Sequence, residues 1–351
     1  MTIVDEFNAC ITGGVDTHLD SHVAAALDAK GGLLGVEHFD AGRAGETRLI
    51  AWLHELGPID RVGVEGTGSY GAGLARRLRA AGVSVVEVDR PNRQTRHRKG
   101  KSDPVDAIEA ARAAQGGRAT GLAKSRDGNV EAMRALLVAR RSARSSRIKA
   151  MTQIRHLGFC GPDELREHLD GVSAIMLGRT AAAVRPTEGS RNLVMHATAT
   201  SIRILGRRVE SLEAEIEMLE HVLEQLVRET APSLLALYGV GVDTAASLLV
   251  AAGDNPERLR SEAAWANLCG VAPLEASSGK VTRHRLNRGG DRNANQALWR
   301  ITLCRMASDN RTKTYVERRT AEGKSKREIM RILKRYIARE VYPHLRSTMI
   351  N

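Results

Sequence analysis

Three short apolar runs open the chain: Ile11 to Asp16, His22 to Asp28 and Leu33 to Phe39. Asp20-Ser21 and Lys30-Gly31-Gly32 separate them, and runs of this length joined by tight turns predict an antiparallel meander. Leu49, Ile50 and Leu53 then fall at helical spacing and predict a helix over 46–56. The pattern next predicts a strand at 61–65, a helix at 70–81 closed by Gly82, a strand at 84–88 and a helix at 102–115. The order is βββαβαβα.

Beyond residue 125 the pattern is helical. Val130 to Leu157 reads as one helix, with Val130, Met133, Leu137, Ile148, Met151 and Ile154 as its apolar positions. Arg134, Arg140, Arg141, Arg144, Arg147, Lys149 and Arg155 make it basic, and a solvated helix usually mixes signs, so it points to nucleic acid. Residues 158–196 carry no clear pattern. Ile202, Leu205, Val209, Leu212, Ile216, Leu219, Leu223 and Leu226 follow at alternating steps of three and four, a heptad seam. Such a seam fits a hairpin with 130–157 or a coiled coil between chains, and the two combine as a helical stalk that supports dimerisation. Its half from Glu210 to Glu229 is acidic and unsuited to lie on DNA. Around Gly239-Val240-Gly241 two helices meet in a tight turn, which can offer backbone amides to a phosphate. This resembles a helix-hairpin-helix motif.

The βββαβαβα order is that of a ribonuclease H-like fold, whose first strand is central with the fourth beside it. Asp16 and Glu65 then end neighbouring strands. Lys101-Ser102-Asp103-Pro104-Val105-Asp106 starts a helix, with Pro104 suited to its first position and Asp103 to the N-cap. Alone, this hexapeptide reads as a cap. Residues three apart share a helix face, so Asp103 and Asp106 can join Asp16 and Glu65 in a four-carboxylate site for Mg²⁺ or Mn²⁺. Two such ions about 4 Å apart serve phosphoryl transfer.

Composition narrows the partner. The formal net charge is +12, which favours a polyanion, nucleic acid foremost. No apolar run is long enough for a bilayer, and the N-terminus lacks a basic-then-apolar signal. The four cysteines are dispersed, which fits a reducing compartment and no structural zinc. The expected location is the prokaryotic cytoplasm, at the nucleoid when bound. Aromatics make up only 3%, which argues against recognition built mainly on base stacking. The loop holding Arg90, Arg93, Arg96, Arg98, Lys99 and Lys101 carries six cations and no acid, a phosphate-backbone holder beside the acids. Near the other end, Ser277 and Ser278 precede Gly279 and Lys280, and Arg283, His284, Arg285 and Arg288 follow. A serine hydroxyl can attack phosphorus while guanidinium groups stabilise the developing charge. The helical stretch 311–346 adds Arg327, Arg331, Lys334, Arg335 and Arg339 for phosphates.

Gly14-Val15-Asp16-Thr17-His18, Glu65-Gly66-Thr67-Gly68-Ser69-Tyr70 and Lys101 to Ala107 together resemble the Asp-Glu-Asp-Asp signature of the insertion-sequence one-ten family of transposases. Residues 234–306 resemble the C-terminal domain of the same family. The resemblance implies a RuvC-like N-terminal domain and a serine nucleophile in the C-terminal one. By motif position this is Ser278, with Ser277 an alternative, because Lys280 stands where many members carry glycine. It further implies a DNA recombinase acting on element ends and target, in some members guided by an RNA, with one site assembled from domains of two protomers. The expected domains are 1–125 (RuvC-like), 126–230 (helical stalk) and 231–351 (transposase domain with helix-hairpin-helix and serine). The rival activities are a junction-resolving metal nuclease, in which water attacks, and a binding scaffold without activity.

Overall fold

The structure, a computed structural model, describes residues 10–88, 102–119, 121–186, 192–255, 258–278, 284–285 and 287–348. The basic loop at 90–101 and Arg283 lie outside the described residues. The chain divides into two compact units. One runs up to Gly128 and takes in Ala252–Ala264, and the other holds Asn129–Ala251 and resumes at Trp265.

The first unit is built on a six-stranded mixed sheet. Strands β1 (Ile11–Thr17), β2 (Ser21–Leu27) and β3 (Leu33–Asp40) form the antiparallel meander. Helix α1 (Arg43–Leu56) leads to β4 (Ile59–Glu65), and α2 (Ala72–Ala80) leads to β5 (Ser84–Val88); both strands run parallel to β1. Helix α3 (Asp103–Gln115) precedes the two-residue strand β6 (Gly121–Leu122), which is antiparallel to β5. The strand order is β3-β2-β1-β4-β5-β6, consistent with a ribonuclease H-like fold. Strand β6 is too short to leave a periodicity in the sequence.

Alternation along the strands sorts the two faces. Ile11 and Val15 of β1, Ala24 and Ala26 of β2, and Val62 and Val64 of β4 meet Leu49 and Leu53 of α1 and Leu74 and Leu78 of α2. The opposite face takes α3, with Val23 and Ala25 against Ala107. The segment Ala252–Ala264 covers the β6 edge: the Arg258 guanidinium donates to the Leu122 carbonyl (3.0 Å) and the Asn255 amide to that of Ala123 (3.1 Å). Covering an edge removes a template for unwanted pairing.

On the α1–α2 face sits a buried charge. Glu46 is 4% exposed, accepts from Arg77 Nε, and lies 3.7 Å from Nε2 of the buried His22. Arg77→Ala strands that carboxylate, and breaking such a pair costs about 3 kcal/mol. The melting temperature should drop by several degrees, as differential scanning calorimetry would show; an unchanged value would mean the Arg77–Glu46 pair does not support the fold.

In the second unit, α4 (Asn129–Cys160) and α7 (Leu193–Thr230) form an antiparallel hairpin. Asn129 meets Thr230, Arg140 meets Glu220 and Arg147 meets Glu213, so the register runs in opposite senses. The seam is therefore used within the chain: Ile202, Val209 and Leu223 are buried, with Leu212, Ile216 and Leu219 half-buried. The unpatterned 158–196 contributes α5 (Asp163–Leu169) and α6 (Leu177–Ala183), which cap the hairpin by packing with Ile154 and Ile202. The acidic half of α7 neutralises arginines of α4. Arg140 donates to Glu220 (2.6 and 2.8 Å) and to Asp243 (2.6 Å), and Asp243 also accepts from Arg300.

The remaining elements are α8 (Pro232–Leu235), α9 (Val242–Ala252), α10 (Glu262–Leu268), the pair β7 (Leu274–Glu275) and β8 (His284–Arg285), then α11 (Arg292–Ser308), α12 (Asn310–Ala321) and α13 (Lys326–Thr348). The Gly239-Val240-Gly241 turn joins a four-residue helix to α9, with Gly239 at φ +78°. The Thr244 hydroxyl donates to the Gly241 carbonyl (2.9 Å) and accepts from its N–H (3.0 Å).

Candidate active site and its family

Two glycines seat the acidic helix. Gly14 and Gly63 pair directly across β1 and β4, each two residues before an acid and so on the same sheet face as Asp16 and Glu65. A Cβ at Gly14 would lie 2.1 Å from the Ala111 nitrogen of α3, and one at Gly63 2.6 Å from the Ala110 carbonyl oxygen. No side chain fits there. The absence of both lets α3 lie on the two strands and carries its N-terminus to their acidic ends. The Thr17 hydroxyl donates to the Glu65 carbonyl (2.8 Å), tying those ends together.

The cap of helix α3 lies one residue before the expected one: Ser102, not Asp103, is the N-cap, and Asp103 is the first helical residue. Pro104 removes an N–H from the first turn, where none is needed. Asp103 and Asp106 remain one turn apart. His18 Nε2 lies 3.1 Å from Asp16 Oδ2 and 3.5 Å from Asp103 Oδ1, and ligand atoms of these three residues lie within 4.8 Å of one another. Asp106 is buried, and Glu65 ends the adjacent strand; neither belongs to that close group. Burial holds the Asp16 carboxyl above its ordinary value; the His18 ring works against this, and the Asp106 and Asp103 charges add to it. A buried carboxylate with two acids acting on it, in an oxygen-rich set, fits a hard divalent cation. His18 was not singled out from the sequence. Its signal was there: it follows Asp16 by two, the spacing that returns a strand to the same face.

In the second unit Ser277 and Ser278 are exposed and lie just past β7. Register pairs Leu274 with Arg285 and Glu275 with His284, so the serines and the His284-Arg285 pair share one hairpin. Arg288 follows in the loop before α11.

Residues 13–157 match the profile of the IS110 DEDD transposase domain, and residues 231–317 that of the IS116/IS110/IS902 transposase family. The chain belongs to this transposase family. Its N-terminal match takes in all four acids and its C-terminal match both serines. It is 34% identical over 143 residues to an uncharacterized 43.6 kDa protein of insertion element IS110 from Streptomyces coelicolor, which covers 40% of this chain and 34% of that one. It is 26% identical over 181 residues to an uncharacterized 42 kDa protein of insertion element IS900 from Mycobacterium paratuberculosis, covering 48% and 45% respectively. The match thus spans less than half the length of either relative. Among the described residues no helix is long and apolar enough to cross a membrane.

Proposed function

We propose that this chain is a transposase that cuts and rejoins DNA at the ends of an insertion element and at its target, dependent on a divalent metal, with Ser278 as nucleophile. The convergence of Asp16, His18 and Asp103 where β1 ends and α3 begins, in a chain of this family, carries the reading. Asp16 and Asp103, with Glu65, Asp106 and His18 beside them, are the residues to hold Mg²⁺ or Mn²⁺, which when bound polarises a phosphoryl oxygen and stabilises charge developing there. The chain's cations hold the strand, and the serine hydroxyl supplies the attacking oxygen. The excess positive charge, including Arg141, Arg144, Lys149 and Arg155 of α4, supports a noncoding guide RNA as a further partner. Exposed Ile204, Met218 and Val222 of α7 support a homodimer or higher homo-oligomer through the outer face of the hairpin.

The test is strand exchange between element-end and target DNA by protein purified from its native host, with and without a chelator, and before and after ribonuclease. Products that need both the metal and the co-purified RNA uphold the reading. Exchange undiminished by ribonuclease removes the guide, and no metal-dependent product of any kind removes the transposase. For assembly, Met218→Lys with Val222→Lys should lower the particle mass seen by light scattering, since buried charge is costly. An unchanged mass places the interface elsewhere.

A further inference from the structure

The second unit contains a cleft of about 740 Å³ between the loop before α11, α11 itself and α13. This falls within the range of open clefts that seat a small-molecule-sized group. Arg288, Arg292, Arg327, Arg331 and Lys334 line it, and no aspartate or glutamate does. None of these five forms an ion pair among the described residues. The acid nearest to Arg331 in its helix, Glu328, is outside the lining and accepts from Ser325.

Lys334 is the unusual member. It is 9% exposed, and its ammonium donates to Asn295 Oδ1 (2.8 Å), while the Asn295 amide donates to the Cys269 carbonyl (2.8 Å). An ammonium has three donors, and only this one has a protein acceptor among the described residues. Burial pushes its pKa down, and Arg331 adds to the shift, as expected of a cation held without its counter-charge. The cleft floor is held tight: a Cβ at Gly290 would lie 2.2 Å from the Gly270 nitrogen.

The same cleft exposes an aromatic face. Trp299 is 41% exposed, whereas Trp265 is fully buried and Trp52 packs on Phe39 with ring centroids 5.7 Å apart. Asn293 and Gln296 stand on the same helix and line the same cleft, offering amide donors and acceptors. Cations without acids select phosphate. An indole with amides beside it selects a base whose face and edge are free, which a base inside a duplex cannot offer.

We infer that this cleft binds one unpaired nucleotide of a nucleic-acid strand, its phosphate on Lys334, Arg327 and Arg331 and its base stacked on Trp299. The inference rests on the reading of the chain as a nucleic-acid enzyme and adds a subsite to it. Aromatics at 3% of the chain leave stacking a minor part of recognition, and one tryptophan fits one flipped or single-stranded base.

The arrangement of the tryptophans supplies the test. Of the three, Trp299 is the most exposed and is the one that lines this cleft, so stacking there should quench its emission. The full-length protein is titrated with eight-residue oligothymidine, oligouridine, an abasic oligomer of equal length and a blunt duplex, with fluorescence anisotropy reporting binding and intrinsic emission reporting stacking. Quenching by oligothymidine or oligouridine, and none by the abasic oligomer or the duplex, is expected; the strand that quenches at lower concentration identifies DNA or RNA as its source. Trp299→Phe should abolish the quench and keep binding. Trp299→Ala should weaken single-strand binding about tenfold and leave duplex binding within about twofold. Arg327→Gln with Arg331→Gln should lower the salt dependence of single-strand binding by about one to two units of slope. Single-strand binding with no quench, or an unchanged affinity in a folded Trp299→Ala protein, overturns the subsite and leaves the transposase reading standing. Failure to bind any of the nucleic acids overturns both.

Discussion

Replacing Asp103 with Asn is expected to lower DNA strand cleavage by about a thousandfold or more, with DNA binding changed by less than about threefold. Asp103 lies beside Asp16 and His18, and an amide cannot serve a hard cation as a carboxylate does. Binding survives because the backbone is held by cations elsewhere on the chain. Asp16→Asn should lose cleavage to a similar extent and adds a second readout. Burial, with Asp106 and Asp103 beside it, keeps the Asp16 carboxyl above its usual 3.8. A carboxyl whose folded pKa is raised binds its proton more tightly when folded. Stability is therefore lost as pH rises from the unfolded value through the folded one, and at neutral pH the full cost is present. A divalent ion offsets that cost. Mn²⁺ should raise the melting temperature at pH 7 and raise it less near pH 4. In Asp16→Asn the metal-free protein should melt no lower than wild type, and the Mn²⁺ increment should vanish. Normal cleavage by both Asn variants, or a full Mn²⁺ increment in Asp16→Asn, would move the metal elsewhere.

That site was partly legible in the sequence, and the reasons differ from residue to residue. The acids stood out because each ends a strand or starts a helix. The glycines that bring them together did not, since a glycine in a strand usually reads as a weakness or a bulge; only the pairing of Gly14 with Gly63 under α3 reveals a seat. His18 stands in the Gly14–His18 stretch without a role of its own in the sequence pattern, although alternation along the strand direction returns it to the face of Asp16. The meander and the parallel strands followed from short runs and turn residues, because period and turn chemistry agree there. The seam of α7 announced a partner and left its identity open. Heptad spacing says that a stripe is covered, not by which chain, and the salt bridges from Arg140 and Arg147 were needed to show α4 against it. The same bridges explain why the charge of α4 overstated its free surface: Arg140 and Arg147 are paired within the unit. The segment Ala252–Ala264 was the least legible, since its hydrogen bonds to residues 122–125 bridge more than a hundred positions.

Ser278→Ala is expected to abolish strand exchange and the protein–DNA adduct together. A serine hydroxyl is a weak nucleophile near neutral pH, so its surroundings must lower the barrier. Its hairpin supplies His284 and Arg285, with Arg288 next along the chain, and guanidinium groups can stabilise the charge gathering on the phosphoryl oxygens. In the step, the bond from serine oxygen to phosphorus forms, the bond to one strand's sugar oxygen breaks, and the serine proton leaves to solvent or a base. The phosphodiester energy stays in the linkage for rejoining, which strand exchange requires and hydrolysis discards. Quenching the wild-type reaction with denaturant and digesting with protease should release a peptide covering residues 277–280 that carries a nucleotide, and fragmentation should place it on Ser278. Both serines are exposed, so Ser277→Ala is the necessary control and should keep most of the adduct. An adduct that moves to Ser277 would shift the nucleophile by one residue. Cleavage at the wild-type rate by the double alanine variant would leave water as the attacking group, and the chain would then be a metal-dependent nuclease that cuts without conserving the bond.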